Sequence, residues 1–223
     1  KSTVAHLVPR FWNVNMGAIR IGGVDIREMS TADLMDTVAF VFQDSFLFSD
    51  TVYNNIAVGR PDAAPEHVYA AAKAAQCHAF IEKLPQGYDT RIGEGGVHLS
   101  GGEEQRINVA RAILKNAPIL VLDEATAFAD PENEYEMQLA LKALMKNKTV
   151  LVIAHRLSTI RDADQILVME NGRIVERGRH EALLSAGGLY TRMWHSYRQA
   201  TQWHLGRGEA DADAEHASQH YSG

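Results

Sequence analysis

The sequence predicts an α/β fold built on a parallel sheet, and two kinds of segment support this. The runs Ile119 to Leu122 and Val150 to Ile153 are short and continuously apolar, which is typical of central parallel strands buried on both faces. Glu134 to Lys146 instead has helical spacing, and Asp130-Pro131 before it offers an N-cap and a first-turn proline. We therefore expect helices to cover the sheet.

Further strands are predicted on both sides of this region. Ala18 to Ile21 and Val38 to Phe42 are rich in β-branched and aromatic residues, and Gly22-Gly23 indicates a turn after the first of them. Ile166 to Met169 and the later pair Ile174-Val175 are separated by Asn171-Gly172. That dipeptide predicts a hairpin closed by a type I′ turn.

The middle of the chain is helical in character. Pro61 to Pro85 is alanine-rich and lacks strand patterning, and helices are predicted from Glu66 to Ala75 and around His78 to Lys83. A third helix is expected from Glu103 to Lys115, with Ser100 as its cap.

Composition limits the function classes. The chain has 223 residues, 46% hydrophobic, a net charge of −6 and one cysteine, Cys77. The charge argues against a broad basic surface for nucleic acid, and a lone cysteine suits a reducing cytosol. No apolar run approaches the roughly 20 residues that span a bilayer, and the N-terminus has no secretory signal. Residues 201–223 are acidic and polar, which predicts a disordered tail or, alternatively, a docking segment.

Leu99 to Arg106, LSGGEEQR, is the most informative segment. Its glycine pair allows backbone N–H groups to approach a phosphate closely, and the helix that begins there adds the positive end of its dipole. Ser100 with Glu103 three positions later also fits an ordinary capping box at a helix start. Both interpretations stay open from these residues alone.

Two further polar groups follow apolar strands. Asp123-Glu124 comes after Ile119 to Leu122 and His155 comes after Thr149 to Ala154, which places them at the carboxyl edge where open α/β sheets bind ligands. A metal-binding carboxylate beside one that orients water would suit phosphoryl transfer. The alternatives are a strand end that caps the next helix and a satisfied buried histidine.

Taken together, these motifs resemble those of ATP-binding cassette (ABC) transporter ATPases over residues 1 to about 198. The resemblance implies a P-loop NTPase core with a parallel sheet and an α-helical subdomain. Lys1-Ser2-Thr3 is similar to the end of the phosphate-binding Walker A motif. Without the downstream motifs, these three residues would be better explained as a polar start with no function. We expect the glycine loop, the preceding strand and an adenine-stacking aromatic upstream of Lys1, and poor ATP binding by this fragment without them.

The resemblance implies the following roles, with ATP and Mg²⁺ as cofactors. The catalytic residues would be Glu124 as base and His155 as the switch histidine. The ATP-binding residues would be Lys1, Ser2, Thr3, Gln43, Ser100, Gly101, Gly102 and Asp130. The Mg²⁺ ligands would be Ser2, Gln43 and Asp123.

Other segments refine the resemblance. Gln43 resembles the Q-loop glutamine of ABC exporters. Asp44 to Ile56, DSFLFSDTVYNNI, closely resembles the exporter segment that follows this glutamine and meets the transmembrane domain, and Thr90 to Gly96 resembles the exporter coupling loop. Ala127 to Asp130 stands at the D-loop position, where exporters more often have Ser-Ala-Leu-Asp. Ala125 to Glu134 resembles siderophore-type bacterial transporters. The transported substrate and the direction of transport are not predicted.

The resemblance implies an ABC ATPase domain over residues 1–200, with its core at 1–43 and 113–200 and a helical subdomain at about 44–112. The partners would be a second cassette, homo- or heterodimeric and head-to-tail, and an upstream transmembrane domain, at the cytoplasmic face of a membrane. No nucleic-acid partner is expected. Two alternatives stay open: a catalytically silent regulatory cassette, and a nucleic-acid-associated ATPase, for which no coiled-coil insertion or second cassette is present.

Overall fold

The structure is a computed structural model that describes residues 2–42, 46–123, 131–154 and 157–199. Its strands are β1 (Arg20–Ile21), β2 (Val24–Asp25), β3 (Val38–Val41), β4 (Asp50–Thr51), β5 (Arg91–Ile92), β6 (Ile119–Asp123), β7 (Thr149–Ile153), β8 (Ile166–Glu170) and β9 (Arg173–Gly178). Its helices are α1 (Ser2–Leu7), α2 (Thr31–Thr37), α3 (Val52–Ala57), α4 (Pro65–Ala74), α5 (His78–Ile81), α6 (Gly101–Lys115), α7 (Pro131–Met145), α8 (His180–Ala186) and a last helix over 189–199. Short 3₁₀ turns occur at Gly87–Asp89 and Leu157–Ile160.

Strands β3, β6 and β7 form a parallel sheet. Its order is β3-β6-β7, with Val38 opposite Ile119 and Ile119 opposite Thr149. The predicted parallel sheet is confirmed. The expectation that both strands are buried on both faces holds for β6 but is wrong for β7, whose Val150 to Val152 are half-buried. Among the described strands β7 pairs with β6 alone, so fewer neighbours cover its side chains.

Alternate residues of β6 enter two different apolar clusters. Leu120 and Leu122 pack with residues of α4, α6 and α7, whereas Val121 packs with Ala5 of α1 and Leu34 of α2. Successive side chains of a strand point to opposite faces of its sheet. The sheet is therefore covered by helices on both faces, as the predicted α/β class requires.

Two tight turns have the geometry that their sequences predict. Asn171 and Gly172 both have positive φ, 49° and 76°, between the antiparallel strands β8 and β9, as a type I′ turn requires. Gly22 and Gly23, at 59° and 89°, join β1 to β2. The first strand begins at Arg20, two residues later than predicted, because only two residue pairs are formed there.

The predicted helices are present with shifted ends. α4 begins at Pro65 after Ala64, and α5 ends at Ile81, two residues before the predicted limit. α6 runs from Gly101 to Lys115, after Ser100 as N-cap and before a left-handed Asn116 at φ 54°, a common helix end. The described part of the predicted helical region contains short β4 and β5 besides its helices.

The chain divides into two compact units, Lys1–Ile153 and Ala154–Gly223. The first contains the parallel sheet and α1 to α7. The second contains the β8-β9 hairpin, α8 and the helix over 189–199, around a cluster that includes Ile166, Leu183 and Tyr190. The domain limits at 43 and 113 and the tail at 201–223 stay predictions. No helix in the described ranges is long and apolar enough to cross a membrane.

Candidate nucleotide site

The carboxylate of Asp123 ends β6 beside α1. Its Oδ2 lies 3.7 Å from Nε2 of His6, and its side chain is 13% exposed. Its Oδ1 is buried and has no hydrogen-bond partner among the described residues. A carboxylate oxygen that is buried without a partner costs free energy unless a cation or donor satisfies it. The Asp123 carboxylate at this strand end can therefore bind a cation or accept a further hydrogen bond.

The packing of α1 explains why its polar residues lie near this strand end. Ala5 is fully buried in the cluster with Val121, and α1 contacts β6 and β7. His6, one helical turn after Ser2, also contacts the ring of Phe40 at 5.4 Å between centroids. Ser2 is half-buried and Thr3 is exposed at the start of the helix.

These residues fit the predicted Mg²⁺ site. Mg²⁺ takes oxygen ligands and is often held by only one or two carboxylates together with substrate phosphates and water. Asp123 supplies a carboxylate with a free oxygen, and Ser2 supplies a hydroxyl at the start of the helix packed on the same strand. Within the described ranges no group of three His, Cys, Asp or Glu residues could hold a metal, so an all-protein cage is not formed there.

The predicted phosphate-binding segment begins α6 with a complete capping box. Ser100 N–H donates to Glu103 Oε2 at 2.8 Å, and Glu103 N–H donates to Ser100 Oγ at 3.3 Å. The capping-box interpretation of Ser100 and Glu103 is thus confirmed. It satisfies the amides of Ser100 and Glu103, but the amides of the first two helical residues, Gly101 and Gly102, have no intrahelical acceptor.

The two glycines differ in what surrounds them. A Cβ on Gly101 would meet nothing within 4 Å, whereas one on Gly102 would lie 3.0 Å from Cγ and Oδ1 of Asn133. A side chain at position 102 would therefore require Asn133 to move by a few tenths of an ångström. The space beside Gly101 is open, and it leaves room for a ligand or a partner to approach the backbone closely.

A buried arginine joins α6 to α7. The side chain of Arg106 is 4% exposed and donates from Nη1 to Asn133 Oδ1 and to Glu136 Oε2, both at 2.8 Å. Its guanidinium lies 5.4 Å from the ring centroid of Phe80. The helix that begins with the glycine pair is thus fixed to the helix that follows Asp123 and Glu124 in the chain.

The segment Phe46–Thr51, which precedes α3, is held by a buried asparagine. Asn55 is fully buried, accepts from Phe48 N–H at 2.9 Å and donates to the carbonyls of Phe48 and Thr51, both at 2.9 Å. Asn54 and the Thr51 amide donate to the carboxylate of Asp50 and lower its pKa.

Arg111 of α6 completes this network. It donates to the carbonyls of Asn55 and Phe46 and to the side-chain oxygens of Asn55 and Asn108. Its guanidinium lies 5.3 Å from the ring centroid of Phe48, and burial lowers its pKa to about 10. The sequence interpretation missed Asn55 and Arg111, because no local pattern shows that they meet across 56 positions.

The structure describes only some of the predicted site residues. Ser2, Thr3, Ser100, Gly101, Gly102 and Asp123 lie within the described ranges and have the positions given above. The others, Lys1, Gln43, Glu124, Asp130 and His155, lie outside the described residues. The described residues form two groups, one at α1 and the end of β6 and one at the start of α6.

Comparison with known proteins identifies relatives for most of the chain. The ATP-binding/permease protein IrtA of Mycobacterium tuberculosis, named for mycobactin import, is 56% identical over 194 residues, which cover 87% of this chain and 22% of the relative. An ATP-dependent lipid A-core flippase of Syntrophus aciditrophicus is 54% identical over 193 residues, or 86% of this chain and 32% of the relative. The chain thus spans about a fifth to a third of these relatives.

A solved structure and a family profile agree with these relatives. The structure of a bacterial Atm1-family ABC exporter with ATP bound superposes with a TM-score of 0.81 at 48% identity, over 90% of this chain and 35% of the exporter chain. The profile of the ABC transporter family matches residues 1–127, more than half of the chain. The predicted P-loop NTPase fold of the ABC class is confirmed, and the chain belongs to the ABC transporter ATPase family.

Proposed function

We propose that this chain is the ATP-binding and ATP-hydrolysing domain of an exporter-type ABC transporter, which powers the movement of a small molecule across a membrane. The observation that carries the proposal is the Asp123 carboxylate at the strand end next to α1, whose buried Oδ1 has no partner among the described residues. A P-loop ATPase needs a carboxylate with a free oxygen there, to hold the metal that accompanies ATP.

Each predicted residue has a chemical role in this proposal. Lys1 and the amides at the start of α1 would bind the outer phosphates, and the hydroxyl of Ser2 with Asp123 and Gln43 would hold Mg²⁺. Mg²⁺ bound there would neutralise charge on the phosphate oxygens during phosphoryl transfer. Glu124 would take a proton from the attacking water. Thr3 and His155 would contact the phosphates, and His155 would also orient the water.

The start of α6 would complete the site of a second cassette. Its helix dipole and the free amides of Gly101 and Gly102 would bind the γ-phosphate held by the partner, together with Ser100. Asp130 would lie at the contact between the cassettes. Two chains packed head-to-tail would thus enclose two ATP molecules. Hydrolysis of the ATP would release the two chains from each other.

The open space at Gly101 supports this arrangement, because the described residues of the chain do not fill it. A transmembrane domain, on the same polypeptide as in the fused ATP-binding/permease relatives, would convert the movement of the cassettes that follows hydrolysis into transport. We place the domain at the cytoplasmic face of the membrane. Relatives of nearly equal identity are named for mycobactin import and for lipid A-core flipping, so their names do not favour one substrate. The proposed substrate stays a small molecule, and the siderophore-related class stays a prediction.

Steady-state ATP hydrolysis by the full-length protein that contains this chain tests the proposal. Glu124→Gln is expected to abolish hydrolysis while ATP-dependent dimers of the cassette accumulate, because the substitution removes the base but leaves phosphate binding intact. The exposed Glu28 provides the matched control, and Glu28→Gln is expected to hydrolyse ATP at the wild-type rate.

Two results would contradict the assignment. Equal hydrolysis by wild type and Glu124→Gln would remove Glu124 from the base role. ATP binding without hydrolysis by either protein would favour the alternative, a silent cassette that binds nucleotide and regulates its partner.

A further inference from the structure

Arg111 connects two parts of the first unit that the proposed function uses for different tasks. It belongs to α6, whose first residues Gly101 and Gly102 would bind ATP held by a partner cassette. Its side chain reaches the segment Phe46–Thr51, which resembles the exporter segment that meets the transmembrane domain. Ten residues of α-helix, about 15 Å at 1.5 Å per residue, separate Gly101 from Arg111 along a continuous helix.

The contacts of Arg111 are arranged to hold backbone. The guanidinium donates to the carbonyl of Phe46, the carbonyl of Asn55 and the Oδ1 of Asn55. Asn55 in turn holds both backbone groups of Phe48. A planar fork with five N–H donors can satisfy several acceptors in one fixed geometry, and an ammonium group cannot.

The segment is also held by Asn55 of α3, which bonds Phe48 and Thr51, and by Leu47, which packs against the core cluster. Phe46 is 65% exposed and Phe48 is 45% exposed, and their rings contact each other edge-to-face at 5.1 Å. Two pairs join β4 to β5, and Arg91 donates to the carbonyl of Ser49 at 3.0 Å. From α6, Arg111 donates directly to this segment and to Asn55.

We propose that Arg111 is a positioning residue that makes the segment Phe46–Thr51 follow the movement of α6 when ATP binds at Gly101 and Gly102. The proposal rests on the proposed function and adds to it a specific residue for transmission inside one cassette. Removing the guanidinium would leave nucleotide binding at the start of α6 in place and remove these direct hydrogen bonds between the helix and the segment. Its ring contact with Phe48 would be lost at the same time.

The test uses a fluorescent reporter on the segment in the full-length protein. Ser49 is exposed, and Ser49→Cys labelled with bimane reports a change in its surroundings when MgATP is added. Cys77 does not compete for the label, because it is buried and burial raises the pKa of its thiol to about 12. Any accessible cysteine elsewhere in the full-length protein is replaced first.

In the Arg111→Gln variant we expect the bimane response to MgATP to fall below half of the wild-type response, while the apparent affinity for MgATP stays within threefold. Arg91→Gln is the matched control, because it removes one hydrogen bond to the same segment from β5 rather than from α6. It is expected to keep the full response. A merely structural role of Arg111 would lower affinity and response together.

The outcomes separate this inference from the proposed function. A response of half or more in Arg111→Gln, with normal MgATP affinity, would overturn the role of Arg111 and leave the proposed function standing. A wild-type protein that neither binds nor hydrolyses MgATP would overturn both. If Arg111→Gln does not fold, Arg111→Lys decides, because it keeps the charge and loses the fork. A response below half then supports the role, and a response of half or more overturns it.

Discussion

Alanine substitution at the two glycines of α6 should separate stability from function. A Cβ on Gly101 enters open space, and alanine is the better helix former by roughly 0.5–1 kcal/mol. Gly101→Ala should therefore leave the protein equally stable or more stable. A Cβ on Gly102 lies 3.0 Å from Asn133, whose Oδ1 also accepts from Arg106. Gly102→Ala should cost about 1 kcal/mol, at the lower end for overpacked sites.

The same methyl groups should both weaken ATP-dependent association. At Gly101 the methyl would occupy the space through which a phosphate approaches the backbone, and we expect at least a tenfold loss of ATP-dependent dimers, or about 1.4 kcal/mol. At roughly 2–4 °C per kcal/mol for a domain of this size, Gly101→Ala should raise Tm by 0 to about 4 °C and Gly102→Ala should lower it by about 2–4 °C. Thermal unfolding of the full-length protein and ATP-dependent cross-linking measure the two effects. A fall in Tm for Gly101→Ala equal to that of Gly102→Ala would refute the claim that the space is open.

Three further predictions follow from ion pairs and burial. Arg106→Gln should cost about 1.5–3 kcal/mol in thermal unfolding, because it removes the hydrogen bond from a buried charged group to Asn133. Arg179→Gln, in a pair exposed by 75% and 100%, should cost under about 0.5 kcal/mol, and equal costs would contradict this. Cys77 should resist a thiol reagent at pH 8 until the protein unfolds, since its pKa of about 12 leaves almost no thiolate. Hydrogen bonds from Arg27 lower the pKa of Asp25 to about 2. The pair therefore stabilises the fold above pH 4 and loses its effect as pH falls towards 2. NMR titration of the Asp25 carboxyl in Arg27→Gln should show a midpoint that moves up towards 4, and an unmoved midpoint would be evidence against the pair.

The parts of the fold that local patterns determine were predicted from the sequence. The turn at Asn171-Gly172, the cap at Ser100 and the apolar runs that form β6 and β7 each depend on a short signal whose physical cause lies within a few residues. Helix α2 had such a signal and was not predicted: Ser30 accepts from the Asp33 amide as an N-cap. Its apolar residues are too few to produce a clear helical period.

The parts that remained hidden are contacts between distant segments. β4 pairs with β5, so that Asp50 meets Ile92, and two-residue strands carry no alternating pattern from which such pairing could be predicted. The contact of His6 with Asp123 and the hydrogen bond from Arg111 to Asn55 also join distant segments. Each depends on where the sheet and α6 bring the chain together, and a single sequence carries no signal of that.

The start of α6 shows why the capping and phosphate-binding interpretations of one sequence could not exclude each other. A helix begins with amides that need acceptors, and the box formed by Ser100 and Glu103 satisfies two of them from within the chain. Glycine at the next two positions leaves the remaining amides accessible, with open space beside Gly101. The box fixes the start of the helix, and under the proposed function the amides of Gly101 and Gly102 would bind a phosphate there. A capped helix start and the proposed anion site are thus compatible properties of the same turn.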